Sequence, residues 1–188
     1  MNDILRNFPH SFDSERLTIR CPLPGDGPEV NAAVVESWDE LRPWMVWAKT
    51  LPTVDETEAN LREAHARFLT RQSLRLLLFL KGTHTLVGSS GLHSIDWSVP
   101  CFEIGYWLRT SFTGQGYATE AARAIANFAF DVLGAKRVGI RCDALNERSA
   151  AVARRLGFEH EGTLHCSNRH HLTGELRDEM IFAKVKTP

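Results

Sequence analysis

The run Thr113-Gly114-Gln115-Gly116-Tyr117-Ala118-Thr119-Glu120-Ala121 is where this sequence concentrates its chemistry. A strand pattern ends near Arg109 and a helical pattern starts at about Tyr117. Two glycines between them allow a tight turn and a close backbone approach to a ligand. The free N–H groups of the first helical turn, with the positive end of the helix dipole, then make an anion site suited to phosphates. The lysine and Ser/Thr of a nucleotide-hydrolysing P-loop are missing, as is the third glycine of a dinucleotide fold. Downstream, Asn146-Glu147-Arg148-Ser149 opens a second helix, which closes at Arg155-Leu156-Gly157-Phe158. Glu103 stands mid-strand among Phe102, Ile104 and Tyr106, sharing a face with Gly105 and Trp107 by alternation. A carboxylate there is either a base working through a bound water or a solvated, ion-paired strand residue. His160, His165, Cys166, His170 and His171 crowd together, but their spacing fits no zinc pattern and no metal is expected. His93 reads as a satisfied core histidine, and Trp38, Trp44 and Trp47 read as caps on a core.

The elements that must hold these residues follow from periodicity. Residues 15–21 alternate as a half-buried strand, and 28–38 read as a short amphipathic helix. Thr53-Val54-Asp55-Glu56 fits a capping box, and Leu61, Ala64, His65, Phe68 and Leu69 at helical spacing predict a helix over 54–71. Strands are expected at 74–80, 85–95 and 101–108, then a helix at 117–133, a strand at 136–142, a helix at 147–156, and strands near 158–166 and 176–185. A meander followed by strand–helix alternation implies an α/β domain: a mixed, largely antiparallel sheet of six to seven strands with helices on both faces.

A chain of 188 residues suits one domain over 1–188, and 43% hydrophobic with 24% charged residues excludes wholesale disorder. Lys+Arg 22 against Asp+Glu 23 argues against a dedicated nucleic-acid binder. The four cysteines form no C-x-x-C pair, so they are expected as reduced, mostly buried thiols of a cytoplasmic protein. The longest apolar run, Leu76 to Leu80, is far too short for a membrane helix, and no membrane partner is expected.

Taken in order, "ERLTIR", "LRPWMVWA", "LVGSSGLHSID", "FEIGYWLRTSFTGQGYATEA", "NERSAAVARRLGF" and "EHEG" resemble the GNAT superfamily of N-acetyltransferases, within it the RimJ/RimL-like branch. The resemblance implies acetyl-CoA as co-substrate and direct transfer to a primary amine. That amine is foremost a protein or peptide α-amine such as a ribosomal-protein N-terminus. A small-molecule amine (polyamine, antibiotic or amino acid) and a non-catalytic CoA sensor stay open, as does homodimer against monomer. The superfamily's pyrophosphate loop falls on Thr113-x-x-Gly116-x-Ala118, with Thr113 replacing the usual basic or amide residue. By the same resemblance the cofactor is bound by Trp107, Leu108, Arg109, Gly114, Gln115, Gly116, Tyr117, Ala118, Thr119, Asn146 and Ser149. Arg148, Arg154 and Arg155 are candidates for its 3′-phosphate. Glu103 would be the base, in an apolar cleft that raises its pKa. Ser149 would face the thioester sulfur, unless it only satisfies helix backbone. Trp44, Trp47 and His170 would wall the acceptor cleft. The glutamate some relatives carry after the "EG" is replaced by Asn168, and no tyrosine follows the second helix to act as an acid.

Overall fold

The computed structural model describes residues 2–186. Its strands are β1 (Ser11–Asp13), β2 (Leu17–Arg20), β3 (Leu74–Leu80), β4 (Leu86–Asp96), β5 (Cys101–Leu108), β6 (Arg137–Asp143), β7 (Glu159–Arg169) and β8 (Leu176–Val185). They form one sheet in the order β1-β2-β3-β4-β5-β6-β8-β7. The helices are α1 (Gly27–Glu36), α2 (Trp38–Leu41), α3 (Val54–Leu69), α4 (Tyr117–Asp131) and α5 (Glu147–Arg155). The sheet thus has eight strands rather than six to seven, because the three-residue β1 is too short to show alternation. The predicted helix over 28–38 breaks at Ser37, and the residues after it form the separate single-turn α2. Among the described residues no helix is long and apolar enough to cross a membrane.

Two apolar clusters sandwich the sheet. Under α4 and α5 lie Leu76, Leu78, Phe102, Ile104, Ile125, Phe128, Val138 and Phe182. Under α1 and α3 lie Val30, Val34, Leu61, Leu77, Phe79, Leu86 and Trp107. The even positions of β3 and β5 serve the first cluster and the odd positions the second, as strand alternation requires. α4 presents Ala121, Ala122, Ala126 and Ala129 to the sheet, all buried, so its axis can lie close. α3 begins at the expected capping box. Thr53 Oγ1 accepts from Glu56 N at 3.2 Å, and Glu56 Oε2 accepts from Thr53 N at 2.8 Å. Of the apolar face read on α3, Leu61 and Phe68 are buried, Ala64 and His65 are half-buried, and Leu69 is exposed.

All neighbouring strands run antiparallel except β5 and β6. Their parallel pairing covers only Cys101–Glu103 against Arg137–Gly139. Beyond that point Ile104–Leu108 and Ile140–Asp143 diverge and leave a gap in the sheet. The gap is the feature that positions everything below.

Candidate active site

Two cavities meet at the gap. The larger, about 1170 Å³, runs along α4 and α5 and past the turn between β1 and β2. The smaller, about 760 Å³, lies on the α1–α3 side. Met45, Tyr106, Asn146 and Ser149 line both.

The larger cavity has the makings of a phosphate groove. Gly116, at φ +84°, is the N-cap of α4, and no side chain caps that helix. Its leading N–H groups are therefore left open to a ligand. Thr113, Gly114, Gly116, Ala118 and Thr119 line the groove together with Leu108. Arg123, Arg148 and Arg155 line it as well, without a carboxylate partner among the described residues. Arg154 instead pairs with Glu147 at 2.9 Å, which takes it away from this role. Arg16 also lines the groove. Its Nε sits 2.6 Å from Glu120 Oε2, its Nη1 donates to the Gln115 carbonyl, and its guanidinium stacks on Tyr117. Arg16 thus braces the glycine turn more than it offers charge.

Several expected cofactor contacts fall elsewhere. Arg109 is turned to the other face, held by Glu36 at 2.6 Å and Glu29 at 3.1 Å, so it cannot supply a free cation to the turn. Gln115 folds back to donate to the Ser111 carbonyl, and the Tyr117 ring is buried in the core. The Trp107 indole packs under α1 and lines the smaller cavity, 6.3 Å from the Trp47 ring. Its backbone stays at the gap, but its side chain serves the opposite face.

At the junction, Asn146 caps α5 by accepting from Ser149 N at 3.1 Å. That leaves the Ser149 hydroxyl free of backbone duty, and it pairs instead with the Tyr106 hydroxyl at 3.0 Å. Tyr106 also reaches the Ser149 carbonyl at 3.1 Å. Burial pushes its phenol up to about 12, with the Ser149 bond partly opposing. Sequence reasoning passed over Tyr106 because the expected tyrosine lies after the second helix. The usable signal was its place beside Gly105 on the strand that flanks the gap. Arg16 and Arg123 were missed for a simpler reason: nothing in the spacing aims them at the glycine turn.

The smaller cavity has aromatic walls. Trp44 and Trp47 are exposed on it, whereas Trp38 packs against the core, so the three tryptophans divide between the two readings. His170 does not line it. Its Nε2 meets the Pro43 carbonyl at 3.0 Å, tying the β7–β8 loop to the tryptophan segment, so it braces the wall from behind.

Glu103 is not in an apolar cleft and lines neither cavity. Its carboxylate lies 3.0 Å from the Arg141 guanidinium and 3.8 Å from His93 Nδ1. His93 in turn is no core histidine. It is exposed, lines the smaller cavity, and lays its ring over Gly105, where a Cβ would come within 3.1 Å of Nε2. In the other histidine cluster, His165 pairs with Asp178 at 2.8 Å and His160 with Thr163 at 3.2 Å. Among the described residues no three His, Cys, Asp or Glu side chains gather as a metal would need.

A family model described as an acetyltransferase (GNAT) domain matches residues 16–159. The Bacillus subtilis (strain 168) protein YdaF is 29% identical over 163 residues, 84% of this chain and 88% of that protein. The ribosomal-protein-serine acetyltransferase of Escherichia coli (strain K12) is 27% identical over 147 residues, 77% of this chain and 80% of its own. Among solved structures, the microcin C7 self immunity acetyltransferase MccE, in complex with acetyl-CoA and AMP, has a TM-score of 0.86 at 23% identity. That match covers 95% of this chain and 98% of the other. RimL, a ribosomal alpha-N-protein acetyltransferase in complex with coenzyme A, has a TM-score of 0.84 at 24% identity, covering 92% and 95%. These likenesses support the RimJ/RimL-like branch. With a glycine turn opening a helix, a splayed parallel strand pair and a capped serine at the gap, the chain belongs to the GNAT family of N-acetyltransferases.

Proposed function

We propose that this enzyme moves an acetyl group from acetyl-CoA directly to the α-amine at a protein or peptide N-terminus. The observation that carries this is the junction, at Tyr106, Asn146 and Ser149, of an aromatic-walled cavity with a groove that holds an open helix N-terminus and, unpaired among the described residues, Arg123, Arg148 and Arg155. Pyrophosphate would meet the open N–H groups of α4, with Arg123, Arg148 and Arg155 at hand for further phosphate charge. The pantetheine arm would follow the β5–β6 gap, where unpaired strand backbone offers hydrogen bonds.

Transfer requires three events. A neutral amine nitrogen attacks the thioester carbonyl carbon, and the C–S bond breaks to leave an amide and a sulfur that takes up one proton. The acceptor ammonium gives up two protons in all, the first of them to a base before attack. His93, on the cavity wall, would take that proton at Nε2, its Nδ1 being held by Ser94 Oγ at 3.2 Å, with the Arg141-bound Glu103 carboxylate 3.8 Å away to favour the protonated ring. On the other side the Tyr106–Ser149 hydroxyl pair can hand a proton to the sulfur. A thiolate of pKa near 8.5 leaves readily, so this donation is an aid rather than a requirement. An α-amine titrates near 7.7–8.0 and a lysine near 10.4, which favours N-terminal acceptors for a weak base. The relatives named as ribosomal-protein acetyltransferases support a protein acceptor of this kind.

A thiol-release assay with acetyl-CoA tests the reading over free-N-terminus peptides, N-terminally blocked lysine peptides, and small amines including polyamines and aminoglycosides. Free N-termini should turn over fastest. Faster turnover of blocked lysine peptides removes the α-amine preference, and acetyl-CoA binding without any turnover makes the chain a sensor. In the same assay His93→Gln should lower kcat/KM by about 10²-fold and Glu103→Gln by about tenfold. The reverse order would make Glu103 the base itself.

A further inference from the structure

The acceptor-side cavity holds a cation with no carboxylate beside it. Arg75 on β3 lines this cavity, on the face shared with Leu77 and Phe79. Its Nη1 donates to Asn60 Oδ1 at 2.5 Å and its Nε to Ser89 Oγ at 3.3 Å, both neutral acceptors. Among the described residues no acidic group reaches ion-pair distance, and Nη2 has no protein acceptor. The acids on the cavity wall are already engaged. Glu56 is spent in the α3 cap at Thr53, and Asp143 accepts from Leu145 N at 2.8 Å. Arg141, the other guanidinium on the wall, is neutralised by Glu103 and Glu179. Burial holds the Arg75 guanidinium below the ordinary arginine pKa, yet the group stays charged at any working pH. A half-buried guanidinium whose hydrogen bonds go only to neutral groups, with Nη2 free in an open cavity, is open to an anion from outside.

The floor of the cavity leads from Arg75 to the reaction centre. Arg75, Gly91 and Gly105 pair in register across β3, β4 and β5, so all three lie on the same face. Gly91 has φ +146°, and a Cβ there would lie 2.4 Å from the Leu74 carbonyl oxygen, so the position is closed to any side chain. Two strand spacings, about 10 Å, separate Arg75 from the gap edge at Gly105. That is about the reach of an extended segment of two to three residues. Trp44 and Trp47 overlook the same space.

We propose that Arg75 is an anion socket for the acceptor, and that the preferred acceptors carry an Asp or Glu side chain within the first three residues of the acetylated N-terminus. With Nε on Ser89 and one Nη1 hydrogen on Asn60, the second Nη1 hydrogen and Nη2 still offer a carboxylate a planar pair of N–H donors, which a lysine could not. This deepens the α-amine reading above and rests on it.

The test compares peptides that have a free N-terminus and differ only by Glu against Gln at the second or third position. With the wild-type enzyme the acidic peptide should show a kcat/KM about tenfold higher, carried mainly by KM. Arg75→Gln should bring the two peptides to within about twofold of each other, with calorimetric acetyl-CoA binding reporting an intact fold. Where that variant does not fold, Arg75→Lys should keep less than half of the wild-type advantage. Equal kcat/KM for both peptides in the wild type overturns the socket, and so does an acidic preference that survives at Arg75→Gln or keeps more than half of its size at Arg75→Lys. If peptides of both kinds are inert while small amines react, the α-amine reading fails. A preference for phosphate-bearing over carboxylate-bearing small amines then overturns the peptide carboxylate as occupant. Peptides acetylated without regard to charge would sink the socket and leave the α-amine reading standing.

Discussion

Two hydroxyls 3.0 Å apart, on Tyr106 and Ser149, occupy the point where both cavities meet. Burial favours the neutral phenol, and with a pKa of about 12 it keeps its proton throughout the range in which amines are acetylated. That makes it a donor in waiting and never a base. The same shift is a stability statement. A phenol raised from about 10 in the unfolded chain contributes fully below pH 10, and its contribution is lost as pH rises through about 12. The size is on the order of 2–3 kcal/mol if the whole shift survives in solution. Tyr106→Phe should therefore lose less stability than the wild type between pH 10 and 12, read as the shift in denaturant midpoint. At neutral pH the variant should be weaker by about 1 kcal/mol, the worth of the lost Ser149 bond. Parallel pH curves for the two proteins would mean the phenol is solvated. None of this was legible from the chain alone, because Ser149 lies 43 residues from Tyr106 and only the opened strand pair brings them together.

At the scale of elements the glycine turn is the part the sequence showed most clearly. Its chemistry is local: a positive φ at Gly116 starts α4 and leaves the leading N–H groups bare. Gly116→Val should abolish acetyl-CoA binding in titration calorimetry while far-UV circular dichroism stays that of the wild type. A β-branched residue resists φ +84°, and its branches would stand where the ligand must approach the backbone. Unchanged affinity would take this loop out of the cofactor site. Capping and periodicity likewise revealed α3, since Thr53, Glu56, Leu61 and Phe68 act within one helix. Partners set by tertiary packing were illegible. Arg109 follows β5 directly and looked free for a phosphate, yet α1 supplies Glu29 and Glu36 from some 70 to 80 residues earlier. An apolar cleft for Glu103 does not follow from alternation, which gives its face but not its neighbours. Those neighbours, His93 and Arg141, come from the strands on either side.

For the whole molecule the consequence lies in where the sheet opens. One parallel pair that stops after three residues converts a continuous sheet into a passage. In the proposed reading the groove along α4 and the tryptophan-walled cavity hold separate ligands, and they share only the lining of Met45, Tyr106, Asn146 and Ser149. On that reading each substrate would have its own entrance, both would be bound at once, and no acetyl-enzyme would have to store the group between them. The thiol nearest the junction reinforces this. Cys142 is the one cysteine that lines either cavity among the described residues, and burial pushes its thiol pKa up, with a Ser149 bond only partly opposing. A protonated thiol is a poor nucleophile toward a thioester. Initial rates measured over a grid of acetyl-CoA and acceptor-peptide concentrations should therefore give intersecting double-reciprocal lines. Intact mass after incubation with acetyl-CoA alone should show no added acetyl group. Parallel lines, or an acetyl group trapped on Cys142, would show that the two cavities are used in turn, with the enzyme itself carrying the group across the gap.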